Sequence, residues 1–226
     1  MIESPGTLLV IAAHPDDETL GMGGTIHKAT QAGKRVVVLF LSTGVGAREL
    51  EREDSLGRLE AAKRALSVLG CNQIITGDFP DNSFDTVGML KIAKFIESKI
   101  EEIQPEVIFT NFHGDLNIDH RITAEATLVA ARPKPMSPVN SLYFYEVLSS
   151  TGWKFGSKQF EPTFFVDISK SISQKEAALL EYHTEMDASP GARSYEATKA
   201  LAKFRGNFIG FDFAEAFEIG FVRNMH

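Results

Sequence analysis

Thr7-Leu8-Leu9-Val10-Ile11-Ala12-Ala13 runs directly into His14-Pro15-Asp16-Asp17-Glu18. The apolar run reads as a buried strand, too short for a membrane span or a signal h-region. Three consecutive carboxylates at a strand's exit repel one another unless a cation or several donors neutralise them. Pro15 fixes its own φ and biases His14 towards extended backbone, so the turn is stiff. Gly21-Met22-Gly23-Gly24 then lets the chain turn into a helix predicted to start near Thr25. A histidine and an aspartate three apart on such a turn, His14 and Asp17, can share a metal. Asp16 between them stays free for acid–base work. The competing reading is that the acids only cap the next helix, whose N-terminus favours negative charge. A dinucleotide fingerprint is disfavoured, because the glycines lack the G-x-G-x-x-G spacing and follow acids that would repel a pyrophosphate.

Outward from this stretch, strand and helix patterns alternate. Arg35–Leu41 is continuously apolar after its first residue, as expected of a strand buried on both faces of a parallel sheet. Glu51–Leu69 has helical spacing and stops at Gly70. Asn72–Thr76 and Val107–Thr110 read as strands, Leu90–Ile103 and Ile118–Ala131 as helices. Leu142–Val147 and Thr163–Ile168 read as further strands, Ser169–Tyr182 and Ser194–Phe208 as helices, and Phe211–Phe221 holds a candidate last strand. The aromatic runs Tyr143-Phe144-Tyr145 and Phe164-Phe165 suit core strands better than a sugar platform. Repeated β-α units predict an α/β, Rossmann-like sandwich with a mostly parallel central sheet, formed by residues 1–226 as a single domain.

The chain has 226 residues, 43% hydrophobic and 23% charged, with one cysteine and a net charge of −7. Such a length supports a well-developed core. The negative charge argues against general nucleic-acid binding. Cys71, among apolar neighbours, suits a packed thiol better than a nucleophile. No basic n-region opens the sequence, so the expectation is a cytoplasmic protein without membrane insertion, with room for a homo-oligomer.

In a parallel sheet the strand ends share one edge. That gathers His14–Glu18, Ser42–Arg48, Gly77–Asn82 and Phe112–Arg121 around one crevice, where open α/β sheets bind ligands. His120 is the best-placed third ligand beside His14 and Asp17; two histidines, one carboxylate and an open position match catalytic zinc. Its alternative is an ordinary helix-start residue. Asp119 is expected to orient a histidine. Arg58 can fork to sugar hydroxyls or a phosphate, or merely pair with Asp54 one helical turn earlier. Arg121 shares that ambiguity. Asp81, with Asn82, can hydrogen-bond sugar hydroxyls or simply make a turn. His27, His183 and His226 show no partner pattern.

His14-Pro15-Asp16-Asp17-Glu18 with its trailing glycines resembles the signature of the LmbE-like/PIG-L family of zinc-dependent N-deacetylases. Gly114-Asp115-Leu116-Asn117-Ile118-Asp119-His120-Arg121 resembles the family's downstream metal motif, about 100 residues later and in the right order. The similarity extends weakly over nearly the whole chain. It implies an LmbE-like three-layer fold and one Zn2+ per chain on His14, Asp17 and His120. It also implies Asp16 as general base towards the zinc-bound water, and Arg58 facing substrate. The implied reaction removes acetyl from an N-acetylated amino sugar or its conjugate, of the GlcNAc type. One departure stands out. Where the commoner motif has a histidine, proposed there as general acid and oxyanion stabiliser, this chain has Asn117, which can donate to an oxyanion but cannot supply a proton. His113, in the same loop, is then the expected acid, with Asp16 as the competing proton shuttle. Two other functions stay open: a zinc amidase acting on a non-sugar metabolite, and a non-catalytic ligand-binding protein whose acids are caps.

Overall fold

A computed structural model describes residue 2 and residues 6–43, 52–153 and 158–223, without the side chains of 52–56. The continuous apolar runs form the sheet. β1 (Thr7–Ala12), β2 (Arg35–Phe40), β3 (Gln73–Thr76), β4 (Val107–Asn111) and β5 (Ser141–Tyr145) are parallel. The later strands β6 (Phe164–Asp167) and β7 (Ala214–Val222) complete the order β3-β2-β1-β4-β5-β7-β6 and run antiparallel to their neighbours. Leu8, Val10 and Ala12 of β1 face a core shared with α1 (Asp17–Gln31), α2 (Arg52–Val68), α6 (Ile172–Glu181) and α7 (Tyr195–Phe208). Leu9 and Ile11 face a second core under α3 (Met89–Ile103) and α4 (Ile118–Ala130). The result is the predicted three-layer α/β/α sandwich.

The chain leaves β1 towards β2 on one side and returns to β4 on the other, so the strand order reverses between β1 and β4. A crevice opens at the carboxyl ends of strands at such a reversal. Both motifs lie there, one after β1 and one after β4. A short helix, α5 (Leu148–Thr151), follows β5 and has no counterpart in the sequence pattern.

The first helix departs from expectation. It begins at Asp17, not near Thr25, and absorbs the glycines, with a kink at Met22 (φ −149°, ψ 23°). The kink leaves backbone groups that the helix cannot satisfy itself. A buried ion pair takes them: Glu215 accepts from the amides of Gly24 (2.9 Å) and Thr25 (2.7 Å), and Lys175 donates to the Leu20 carbonyl (2.8 Å). Lys175 and Glu215 themselves meet at 2.6 Å. The glycines serve close packing: a Cβ on Gly21 would stand 2.4 Å from the Tyr145 ring, and one on Gly24 2.8 Å from Ile168.

Candidate active site

His14 leaves β1 buried, and the turn that follows sets Asp16 at φ 112°, a region that L-residues seldom occupy. Such backbone costs on the order of 1–3 kcal/mol and persists only where its surroundings fix it. Here Glu18 reaches back, its Oε2 accepting from the Asp16 amide at 2.9 Å. Glu18 Oε1 in turn accepts from the hydroxyls of Tyr182 (2.8 Å) and Thr19 (2.6 Å). Burial raises the Glu18 pKa to about 7 against these hydrogen bonds. The capping alternative therefore holds only in part: Glu18 satisfies one amide at the helix start, but the Asp16 side chain makes no cap bond.

Asp17 stands at the centre. Its Oδ2 accepts from the His14 amide (3.1 Å) and from Asn111 Nδ2 (3.2 Å) and lies 3.6 Å from His14 Nδ1. Its Oδ1 lies 3.2 Å from His120 Nε2. Each imidazole meets its own Asp17 oxygen, His14 Nδ1 at 3.6 Å and His120 Nε2 at 3.2 Å, and both separations are near the about 3.4 Å between two ligand atoms of a tetrahedral zinc with 2.0–2.2 Å bonds. One donor atom from each of His14, Asp17 and His120 lies within 4.8 Å of the others, and all three residues are buried. The donor set fits a metal of the zinc kind.

The remaining nitrogen of each imidazole faces a carboxylate. His14 Nε2 meets Asp119 Oδ2 at 3.0 Å, and His120 Nδ1 lies 3.4 Å from Asp115 Oδ1. Such outer partners fix which ring nitrogen is free to ligate. Asp119 Oδ1 is held by the Phe84 amide (3.0 Å), and Asp115 Oδ2 by the hydroxyls of Thr151 (2.6 Å) and Ser150 (3.1 Å). Asp81 Oδ1 also comes within 3.0 Å of His14 Nε2, but without hydrogen-bond geometry, so the Asp119 bond is the one that orients the ring. A second donor set of His14, Asp81 and Asp119 would need the nitrogen already bonded to Asp119. We predict that Asp119→Asn and Asp115→Asn each weaken zinc binding about 10–100-fold. Chelator competition measures this, and wild-type affinity in both variants would contradict the arrangement.

The charges agree. Burial opposes ionisation of Asp17, yet the two imidazoles hold its carboxyl well below the usual range. Burial likewise opposes charge on the imidazoles. Even so, Asp119, Asp17 and Asp81 carry His14 well above its ordinary value, and Asp17 and Asp115 raise His120 to about 9. The metal-free cluster thus holds protons where a metal would displace them.

Other predicted residues sit differently from expectation. Arg58 donates to Asp16 Oδ2 (2.8 Å) and to the Pro15 carbonyl (3.1 Å), while the Asp54 side chain lies outside the described residues. Asn117 Oδ1 caps α4 by accepting from the Asp119 amide at 2.8 Å. Arg121 braces the loop, donating to the carbonyls of Asp115 (2.9 Å) and Leu116 (2.6 Å). Asp81 lies against His14. His113 packs on Phe112 and Phe144, 3.2 Å from Lys158 Nζ and 3.7 Å from Glu218. Burial and Lys158 lower its pKa, which disfavours the protonated form an acid needs. Of the loop Ser42–Arg48, the part from residue 44 lies outside the described residues, as does His226. Cys71 is buried, and burial raises its thiol pKa to about 11, so it is unreactive.

Sequence reasoning missed Asn111, Asp115 and Arg193 as site residues. Asn111 ends β4 and ties the strands: its Oδ1 accepts from the Ala13 amide (3.0 Å) and the Tyr145 hydroxyl (3.2 Å). A polar residue ending an apolar strand before a motif was the available signal. Arg193 donates to Asp16 Oδ2 from a loop far away in the sequence, and no local pattern marks it.

Residues 9–131 match the family model described as PIG-L, GlcNAc-PI de-N-acetylase. The chain belongs to the PIG-L family. As a PIG-L protein it is an N-deacetylase, hydrolysing an amide. The diacetylchitobiose deacetylase of Thermococcus kodakarensis is 28% identical to it, over 92% of this chain and 80% of the relative. The conserved protein TT1542 of Thermus thermophilus superposes with a TM-score of 0.76 at 28% identity, covering 97% of this chain and 96% of its own. A 4-carboxy-2-hydroxymuconate hydratase of Pseudomonas putida shares the fold at 21% identity (TM-score 0.74), covering 98% of each chain. The fold alone therefore does not specify the reaction; the site must. Among the described residues, no helix of this PIG-L chain is long and apolar enough to cross a membrane.

Proposed function

We propose that this PIG-L chain removes the acetyl group from an N-acetylated amino sugar or sugar conjugate of the GlcNAc type, releasing acetate and a free amine. His14, Asp17 and His120 would hold one zinc. When bound, that zinc supplies Lewis-acid polarisation of the amide carbonyl and a water of lowered pKa. Asp16 is the base in this reading, and one observation carries it. Beside the metal donors, its Oδ2 is occupied by arginines, while Oδ1 is buried and has no hydrogen-bond partner. That oxygen can take a proton from water and return it to the leaving nitrogen. Asp119 and Asp115 hold the imidazoles. Support for a sugar substrate comes from the family description and from the diacetylchitobiose relative.

Acetate release across a panel of N-acetylglucosamine, its β-1,4 disaccharide, its phosphate esters and non-sugar N-acetyl amides tests this reading. Turnover confined to non-sugar amides would replace it with the amidase alternative. His113 has no proton-transfer role here. His113→Gln is expected to change kcat by less than about tenfold and to leave the alkaline limb of the kcat/KM profile intact. A flattened alkaline limb would return the acid role to His113.

A further inference from the structure

Asp16 is gripped on one oxygen only. Arg58 Nη2 donates to Oδ2 at 2.8 Å, and Arg193 Nη2 donates to the same atom. The two arginines come from unrelated places, α2 and the loop before α7. Glu185 joins them: its carboxylate lies 3.3 Å from Arg58 Nη2, and its carbonyl accepts from Arg193 Nε at 3.0 Å. The Arg193 backbone is pinned too. Its amide donates to Asp187 Oδ2 (3.3 Å), its carbonyl accepts from the Asp187 amide (3.3 Å), and the next residue, Ser194, caps α7 by accepting from the Ala197 amide (3.1 Å). Arg193 is thus a short, anchored strut reaching a buried carboxylate.

A carboxylate has two equivalent oxygens and turns readily about its terminal torsion. A base that must meet a proton at one point gains from losing that freedom. Either guanidinium alone leaves rotation about a single contact. Two on one oxygen, approaching from different elements, remove it and leave Oδ1 as the sole proton acceptor. Charge is balanced within this group as well: Arg58 and Arg193 face Asp16, and Arg58 also faces Glu185.

We propose that Arg193 is a positioning residue for Asp16, fixing its carboxylate so that Oδ1 alone accepts the proton. The inference rests on Asp16 being the base. With N,N′-diacetylchitobiose as probe substrate, Arg193→Ala should lower kcat about 10–100-fold with KM within about twofold. In an Asp16→Asn background the same change should cost less than about twofold more, since a residue acting only through Asp16 has nothing left to act on. Guanidinium ion added at millimolar levels should restore part of the Arg193→Ala rate, and Arg193→Lys should fall between. A crystal structure of Arg193→Ala supplies a readout independent of turnover: the Asp16 carboxylate should rotate or split into two conformers. Raised KM with kcat kept would make Arg193 a substrate contact and overturn the proposal. So would an undiminished loss in the Asp16→Asn background, or an unmoved Asp16 in the variant crystal. An active Asp16→Asn enzyme would instead sink the general-base reading itself.

Discussion

Alanine at Asp17 is expected to remove the metal and the activity together. Asp17 is the acid that meets the imidazoles of both His14 and His120, and its carboxylate also accepts from the His14 amide and Asn111. Without it, His14 and His120 lose a shared counter-charge while their rings remain 5.5 Å apart. Zinc content should fall from about one per chain to near zero, and deacetylation to background. His14→Ala and His120→Ala should do the same; full zinc retention in all three variants would refute the cluster. The pH dependence has a definite sign. Because His120 in the metal-free protein is raised to about 9, at pH 7 it is protonated and zinc must displace that proton. Apparent affinity should therefore climb with pH until about 9 and then level with respect to His120. Calorimetry at pH 7 in buffers of different ionisation enthalpy should detect proton release on binding, and a buffer-independent heat would contradict it.

Asp16→Asn is expected to keep zinc and lose on the order of 10²–10⁴ in kcat. Asparagine is nearly isosteric, and its carbonyl oxygen can still accept from the arginines, so the turn should survive. What it lacks is a group able to take a proton. Near-normal turnover with bound zinc would mean that no protein base is needed. Loss of zinc along with activity would mean instead that Asp16 supports the ligands.

The parallel strands are legible because burial on both faces writes itself as continuous apolar runs, as in Val36–Leu41. Both metal motifs are legible for a related reason: strand ends collect on one edge, so topology brings His14, Asp17 and His120 together. The start of α1 is hidden because glycines between acids and helix look like a loop. What makes them helical is remote: the Lys175–Glu215 pair that completes the kink, and the close approach of Tyr145 and Ile168. Asn117 and Arg121 carry chemistry that suits substrate, but local geometry employs them first, as a cap and a loop brace. Arg193 has no signal at all, since its partner Asp16 is 177 residues away.

That separation bears on how the enzyme is born. The proposed metal donors His14, Asp17 and His120 all lie within the stretch 9–131 that matches the family model, as does Arg58, whereas Arg193, Tyr182 and Glu215 come from the last quarter of the chain. Asp16 meets Arg193 across 177 residues, Glu18 meets Tyr182 across 164, and Gly24 meets Glu215 across 191. Closing one such loop costs roughly 4–5 kcal/mol in chain entropy by the logarithmic length rule, before any contact repays it. Contacts of this range also slow folding. On the proposed roles, a growing chain carries every metal donor well before it carries Arg193, the arginine assigned to aim Asp16. On those roles, the surroundings of Asp16 are complete only once the segment carrying Tyr182 and Arg193 has packed against them.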